Sequence, residues 1–276
     1  LALTEEDRVG RDLVVSWMKD LGLEISIDAI GNVVGTWNVG TGKPVMTGSH
    51  IDTVRTGGVY DGNYGVIAGL EVIQTCQESG LTPSRPLAVA FFTDEEGARF
   101  SPDMLGSLVY AGGLNLEEAL DIVGIDGKRV GDELKNIGYA GSLPCPGESP
   151  HAFVEIHIEQ GPVLNELDIP LGVVTSINGS VRFVGEISGM ASHAGTTPMD
   201  RRRDAATAVA ELALYVEKRA LLVAETCVGT VGQLHVPNGS VNVVPGRCQF
   251  SLDLRATTNR ARDALMQDVL AELRAI

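Results

Sequence analysis

The segment Leu87-Ala-Val-Ala-Phe-Phe-Thr93 runs without a break into Asp94-Glu95-Glu96. An apolar run of this kind reads as a strand buried on both faces, in the interior of a sheet covered by helices. Three carboxylates at its end are costly to hold there unless something cationic compensates them. Neighbouring carboxylates can also divide labour, one binding a metal and the other working as a general base. An exposed acidic turn capping the next helix would account for the acids. It would not account for the apolar strand that delivers them.

The rest of the first half supports a layered α/β arrangement. Thr4–Asp20 carries a helical stripe at Val9, Leu13, Val14 and Met18, ending near Gly22. Leu23–Asp28 and Val33–Trp37 read as a hairpin around Ile30-Gly31-Asn32, Pro44–Ser49 as a strand and Tyr64–Gln77 as a helix. Pro102–Ala111 and Gly131–Ile137 read as helices, and Ala152–Ile158 as a further core strand. Strands alternating with helices imply a layer sandwich with a sheet at its centre. After residue 177 the order becomes β-α-β-β-α, a split βαβ unit without its last strand. The expected organisation is therefore a metal-binding catalytic domain over 1–177 and an inserted α+β lid domain over 178–276.

Composition removes several classes of function. The 276 residues carry 21 Lys and Arg against 36 Asp and Glu, a net charge of −15, which disfavours a phosphate backbone as partner. The short run Arg201-Arg202-Arg203 is followed by Asp204 and reads as a helix start. No stretch of 18 apolar residues exists, so no membrane-spanning helix is expected. Cys76, Cys145, Cys227 and Cys248 lie far apart without a CxxC pair, which fits a reducing cytoplasm better than a zinc ribbon or disulfide scaffold. The start lacks Met and any leader-like apolar segment, and reads as trimmed.

Four further segments bear chemistry. His50 and Asp61, in Thr47-Gly-Ser-His50-Ile-Asp52 and Tyr60-Asp61-Gly-Asn-Tyr-Gly, fall on glycine-rich loops past a strand, where open α/β sheets bind ligands. An imidazole and a carboxylate suit a divalent first-row metal, and Asp52 could fix the His50 tautomer through the other ring nitrogen. In Val154-Glu-Ile-His157-Ile-Glu159-Gln160-Gly, strand alternation would put 155, 157 and 159 on one face, leading to the loop. His193, in Gly189-Met-Ala-Ser-His193-Ala-Gly-Thr-Thr-Pro, lies on a loop entering the second domain's first helix. Asn242 and Arg255 follow in Pro237-Asn-Gly-Ser-Val-Asn242 and at the end of the next strand. Singly, each could be a structural residue. Together they offer imidazole, amide and guanidinium groups on one domain and an acidic cluster on the other.

These motifs, in this order across nearly the whole chain, resemble the N-carbamoyl-L-amino acid amidohydrolases of the dinuclear-metal aminoacylase/carboxypeptidase superfamily. Allantoate amidohydrolases and β-ureidopropionases are close cousins. The resemblance implies two divalent metal ions, zinc foremost, with manganese, cobalt or nickel compatible with the same ligands. It implies that Asp61 bridges them, that His50 and His157 complete one and Glu96 binds the other. Glu95 would be the general base. Gln160, His193, Asn242 and Arg255 would hold the substrate, with Arg255 forking its carboxylate and His193 also stabilising the oxyanion. Closure of the lid would assemble the site.

The implied partners are a small N-carbamoyl amino acid and a second copy bound through the lid, with no nucleic acid or membrane. The family pattern also has a last metal-binding His after the lid, which this sequence lacks, and neither His151 nor His235 is placed to replace it. A fragment of a longer amidohydrolase is the expected reading, and a non-catalytic metal-binding remnant the alternative. An aminopeptidase or N-acyl deacylase on the same scaffold is a second alternative, disfavoured by His157-Ile-Glu-Gln160 and by Arg255.

Overall fold

The computed structural model describes residues 1–276, which form two compact units, Leu1–Asp168 and Ile169–Ile276. The first unit is a mixed α/β layer. It contains α1 (Glu5–Asp20), β1 (Glu24–Ile27), β2 (Val33–Trp37), β3 (Val45–His50), α2 (Asn63–Glu78) and β4 (Leu87–Phe92). Then come α3 (Leu105–Tyr110), α4 (Leu116–Asp121), α5 (Val130–Asn136), β5 (Ala152–Val154) and α6 (Val163–Glu166). The strand order is β1-β2-β4-β3-β5, with β2 antiparallel and β3 parallel to β4. The apolar strand β4 thus lies in the middle, with residues 88–91 buried, as its composition requires.

One core joins Val14 and Met18 of α1, Val66, Leu70 and Ile73 of α2, and Val89 and Phe91 of β4. On the other face of the sheet Met46, Ala88 and Ala90 pack with Phe92 and Tyr110. Two residues before His50, Gly48 has φ +151°, and a Cβ there would sit 2.0 Å from the Ala90 carbonyl oxygen. Only glycine lets β3 approach β4 this closely.

Two expected elements of the first unit differ. In α1, Thr4 caps the N-terminus by accepting from the Asp7 N–H at 3.3 Å. The buried face, however, runs through Asp7, Arg11, Val14, Val15 and Met18, leaving Val9 and Leu13 exposed. An Asp7–Arg11 ion pair of 2.9 Å makes this possible, with Arg11 also donating to the Gly31 carbonyl and to Thr93 Oγ1. The guanidinium lies 5.5 Å from the Phe91 ring centroid and 5.2 Å from that of Tyr139. The strand expected over 152–158 ends at Val154 and is exposed. It is an edge strand paired only with Val45–Thr47, so the chain from 155 to 160 leaves the ladder.

The second unit contains β6 (Gly179–Ser188), β7 (Ser192–His193), α7 (Ala205–Val223), β8 (Val228–Thr230), β9 (Leu234–His235), β10 (Val243–Val244), β11 (Arg247–Ala256) and α8 (Asn259–Ala275). Its antiparallel sheet runs β6-β11-β8, with β9 also on β11, the order of a split βαβ unit. Alternate residues of β11, from Cys248 to Ala256, are buried in a core shared with Val209, Leu212, Leu265 and Val269 of the two long helices. The opposite face of β11 carries Ser251, Asp253 and Arg255. Asp204 caps α7 through the Ala206 and Thr207 N–H groups, and Thr258 caps α8. The expected strand 225–234 is split by Val231–Gln233 into β8 and β9. No helix is long and apolar enough to cross a membrane.

Arg11 and Asp7 form the buried pair on which the first unit's helix–sheet packing turns. Arg11→Leu leaves Asp7 as an uncompensated buried charge and is expected to cost about 3–5 kcal/mol in urea unfolding. Arg11→Leu with Asp7→Asn recovers part of that loss.

Candidate metal centre

His50 is the last residue of β3 and is almost fully buried. Its Nδ1 lies 2.9 Å from the Asp52 backbone carbonyl. A carbonyl only accepts, so Nδ1 donates and Nε2 carries the lone pair of the neutral ring. The Asp52 carboxylate, expected to hold this ring, is 3.9 Å from Nδ1. It instead accepts the Glu95 and Glu96 N–H groups at 3.1 and 3.3 Å. Because the ring bonds to the backbone of Asp52, the side chain is left to hold the acidic loop.

Asp61 stands one residue before Gly62, the N-cap of α2, which has φ +70°. A Cβ on Gly62 would lie 2.5 Å from the His50 ring, so glycine is what lets the Asp61 loop close on the imidazole. His157, in the irregular chain after β5, repeats the His50 arrangement: Nδ1 is 2.9 Å from the Ile158 carbonyl, and Nε2 faces Asp61 Oδ1 at 3.4 Å. The two rings stack with centroids 6.0 Å apart. His50, Asp61 and His157 present donor atoms within 4.8 Å of one another.

Glu95 and Glu96 close the site. Glu95 Oε2 is 3.3 Å from His50 Nε2. Burial raises the Glu95 carboxyl above the usual carboxylate range, and the nearby His50 works against that rise. Burial, and next the Asp61 carboxylate, likewise raise Glu96. Glu96 is outside the group of three, yet its Oε1 and Asp61 Oδ1 are both buried without a hydrogen bond. Two imidazole nitrogens with outward lone pairs thus face carboxylate oxygens, His157 facing the unsatisfied Asp61 Oδ1 and His50 facing Glu95 Oε2. That donor set fits a divalent cation and is repulsive without one.

The loop bearing these acids is pinned along its backbone. Asn32 Oδ1 accepts the Thr93 N–H at 2.9 Å, and Asn32 Nδ2 donates to the Gly106 carbonyl. The N–H groups of Met104, Leu105 and Gly106 bond the carbonyls of Glu95, Asp94 and Thr93. Sequence reasoning took Asn32 only as a turn residue and passed over Arg11. The available signal was the Asp7–Arg11 pair at helical i,i+4 spacing on a face that also carries Val14 and Met18.

The residues expected on the substrate side fall in two places. Gln160, with φ +56°, donates through Nε2 to Asp61 Oδ2 at 2.6 Å and so belongs to the first unit's cluster. Glu159 accepts the Val163 and Leu164 N–H groups at the start of α6, a capping role. In the second unit the two-residue strands β7 and β10 pair His193 with Val243. The Asn242 carbonyl accepts the Ala194 N–H, so His193 and Asn242 are brought side by side. His193 Nδ1 accepts the Gly195 N–H at 3.0 Å, which places the neutral ring's proton on Nε2 as a donor. Arg255 lies on β11 in a bidentate pair with Asp253.

Comparison with known proteins gives the family. The family model for peptidase family M20/M25/M40 matches residues 46–269. The chain is 42% identical over 283 residues to the N-carbamoyl-L-amino acid amidohydrolase of Geobacillus stearothermophilus, covering 100% of this chain and 68% of that protein. It is 38% identical over 281 residues to a probable allantoate deiminase of Oryza sativa subsp. japonica, covering 92% and 57%. A crystal structure of a hydantoinase/carbamoylase family amidase from Burkholderia multivorans superposes with a TM-score of 0.89 at 42% identity, covering 100% and 68%. The chain belongs to peptidase family M20/M25/M40, a family of hydrolases. Within it, the chain groups with the hydantoinase/carbamoylase amidases, and it spans roughly 57–68% of the length of these relatives.

Asp94 yields a test of the buried acidic loop. Its side chain is fully enclosed, and burial, then the neighbouring Asp52 carboxylate, push its carboxyl up to about 8. The folded state therefore keeps a proton that the unfolded chain loses near the ordinary aspartate value. In the metal-free protein this contribution is fully present below that value and is lost as pH rises toward about 8. The slope is at most about 1.4 kcal/mol per pH unit. Thermal melts from pH 4 to 8 are expected to show a flatter decline in Asp94→Asn.

Proposed function

We propose that this chain carries the water-activating and substrate-holding residues of a metal-dependent amidohydrolase that cleaves the ureido C–N bond of N-carbamoyl-L-amino acids. The observation that carries the reading is the His50–Asp61–His157 cluster, its bare Nε2 atoms turned toward carboxylates and Glu95 alongside. The similarity to carbamoylases over the full chain supports the substrate class. Asp61, His50, His157 and Glu96 would hold two divalent ions, zinc or another first-row metal. When bound, the ions supply a water acid enough to react near neutral pH and a Lewis-acid pull on the ureido carbonyl.

Glu95 takes a proton from the attacking water and delivers it to the leaving amine. A carboxyl raised by burial is suited to both transfers. His193 donates from Nε2 to the developing oxyanion. Gln160 and Asn242 offer amides to the ureido group, and Arg255 pairs with the substrate carboxylate. Addition of water and loss of the amine leave an L-amino acid and carbamic acid, which breaks down to carbon dioxide and ammonia. Homodimerisation through the second unit belongs to the same reading. A cytoplasmic setting is supported by four unpaired cysteines.

A second reading, hydrolysis of allantoate, is favoured by the similarity to the Oryza protein. The deciding assay offers N-carbamoyl-L-methionine, allantoate and an N-acetyl amino acid to the metal-loaded chain and to the protein its gene encodes. The carbamoyl compound is expected to be the best substrate. Glu95→Gln is expected to lower kcat by about 10²–10⁴ while calorimetric metal affinity is kept. His157→Ala is expected to lose metal affinity as well. No turnover of any substrate by either protein would reject the reading.

A further inference from the structure

On β11, Asp253 and Arg255 are two residues apart and so share the sheet face turned away from the helices. Arg255 Nε and Nη2 donate to Asp253 Oδ1 and Oδ2 at 2.8 and 2.7 Å, a bidentate pair that takes one full edge of the guanidinium. On the neighbouring strand Arg182 stands directly opposite Asp253 in the antiparallel register and donates through Nε to Oδ2 at 3.3 Å. One carboxylate is thus shared by two guanidiniums. These three are the only charged groups lining a concavity of about 870 Å³ on this face, whose polar lining also includes Asn178, Thr230 and Ser251. The concavity therefore carries one net positive charge.

We propose that Asp253 is a specificity-determining residue, orienting Arg255 and holding this concavity at a single positive charge so that it accepts ligands with one carboxylate and disfavours those with two. The inference rests on Arg255 being the partner of the substrate carboxylate, as read above. An arginine whose Nε edge is taken is fixed in rotation, and it reads an incoming carboxylate from a defined side. The Asp253 carboxylate repels a second anionic arm, the kind of opposing element by which a site rejects a near-relative of its ligand. The favoured substrates are N-carbamoyl amino acids with uncharged side chains. The N-carbamoyl derivatives of aspartate and glutamate are disfavoured.

Binding decides this without turnover. In a Glu95→Gln background, zinc-loaded protein is titrated by calorimetry with N-carbamoyl-L-methionine, its carboxamide and N-carbamoyl-L-glutamate. The parent is expected to prefer the methionine compound over both others. Asp253→Asn is expected to shift the glutamate-to-methionine affinity ratio toward the dianion by about tenfold. Asp253→Glu, which restores the charge, returns the ratio toward the parent's. Arg182→Gln weakens both anions and leaves the carboxamide unchanged. A parent that prefers carboxylate over carboxamide, with a ratio unmoved in Asp253→Asn, overturns the inference and leaves the function reading intact. A parent with no preference for the carboxylate, or no binding, overturns the role of Arg255 and this inference together.

Discussion

Asp52 binds two parts of the site with different atoms. Its carbonyl fixes the His50 ring, and its carboxylate holds the N–H groups of Glu95 and Glu96. The loop after β3 and the loop after β4 are thereby tied at the ends of adjacent parallel strands. The imidazole is left with Nε2 outward, and the two acids are brought to it. Burial of Asp52 and the charges around it would be unfavourable on their own. Backbone donors satisfy the carboxylate, and the donor set beside it fits a cation.

The same economy of polar groups extends beneath the acidic loop. Arg11 and Asn32 enter from α1 and the β1–β2 turn and bond Thr93 from its side chain and its backbone. Rigidity comes from hydrogen bonds made by residues far away in sequence, so the loop needs no regular structure of its own. In the second unit, pairing across short strands has a comparable effect. Two residues of β7 against two of β10 set His193 beside Asn242, and cross-strand register sets Arg182 against Asp253.

Much of this was legible beforehand. The buried central strand, the helices flanking it, and the β-α-β-β-α order of the second half follow from periodicity, since burial imposes its period directly on the sequence. The candidate metal-site residues were legible as residue types at strand ends, and the motif order pointed to the family. Other features were not. Ala152–Ile158 looked like a core strand because its residues are apolar and alternating. It stops at Val154, where its ladder with β3, over Val45–Thr47, ends. The stripe on α1 was misplaced because a buried ion pair mimics an exposed face in any count of apolar residues.

The sequence by itself determined the architecture, the chemical groups available and their order along the chain, because local periodicity and residue chemistry are written residue by residue. Tertiary structure alone decided which atoms meet. It assigned the His50 tautomer to a carbonyl rather than a carboxylate, put Gln160 on Asp61, gave Glu159 to a helix end and set Asp253 between two arginines. These are contacts between groups whose spacing in sequence carries no information about distance. They are fixed only when strands register, a glycine such as Gly62 permits close approach, and buried polar atoms must find partners.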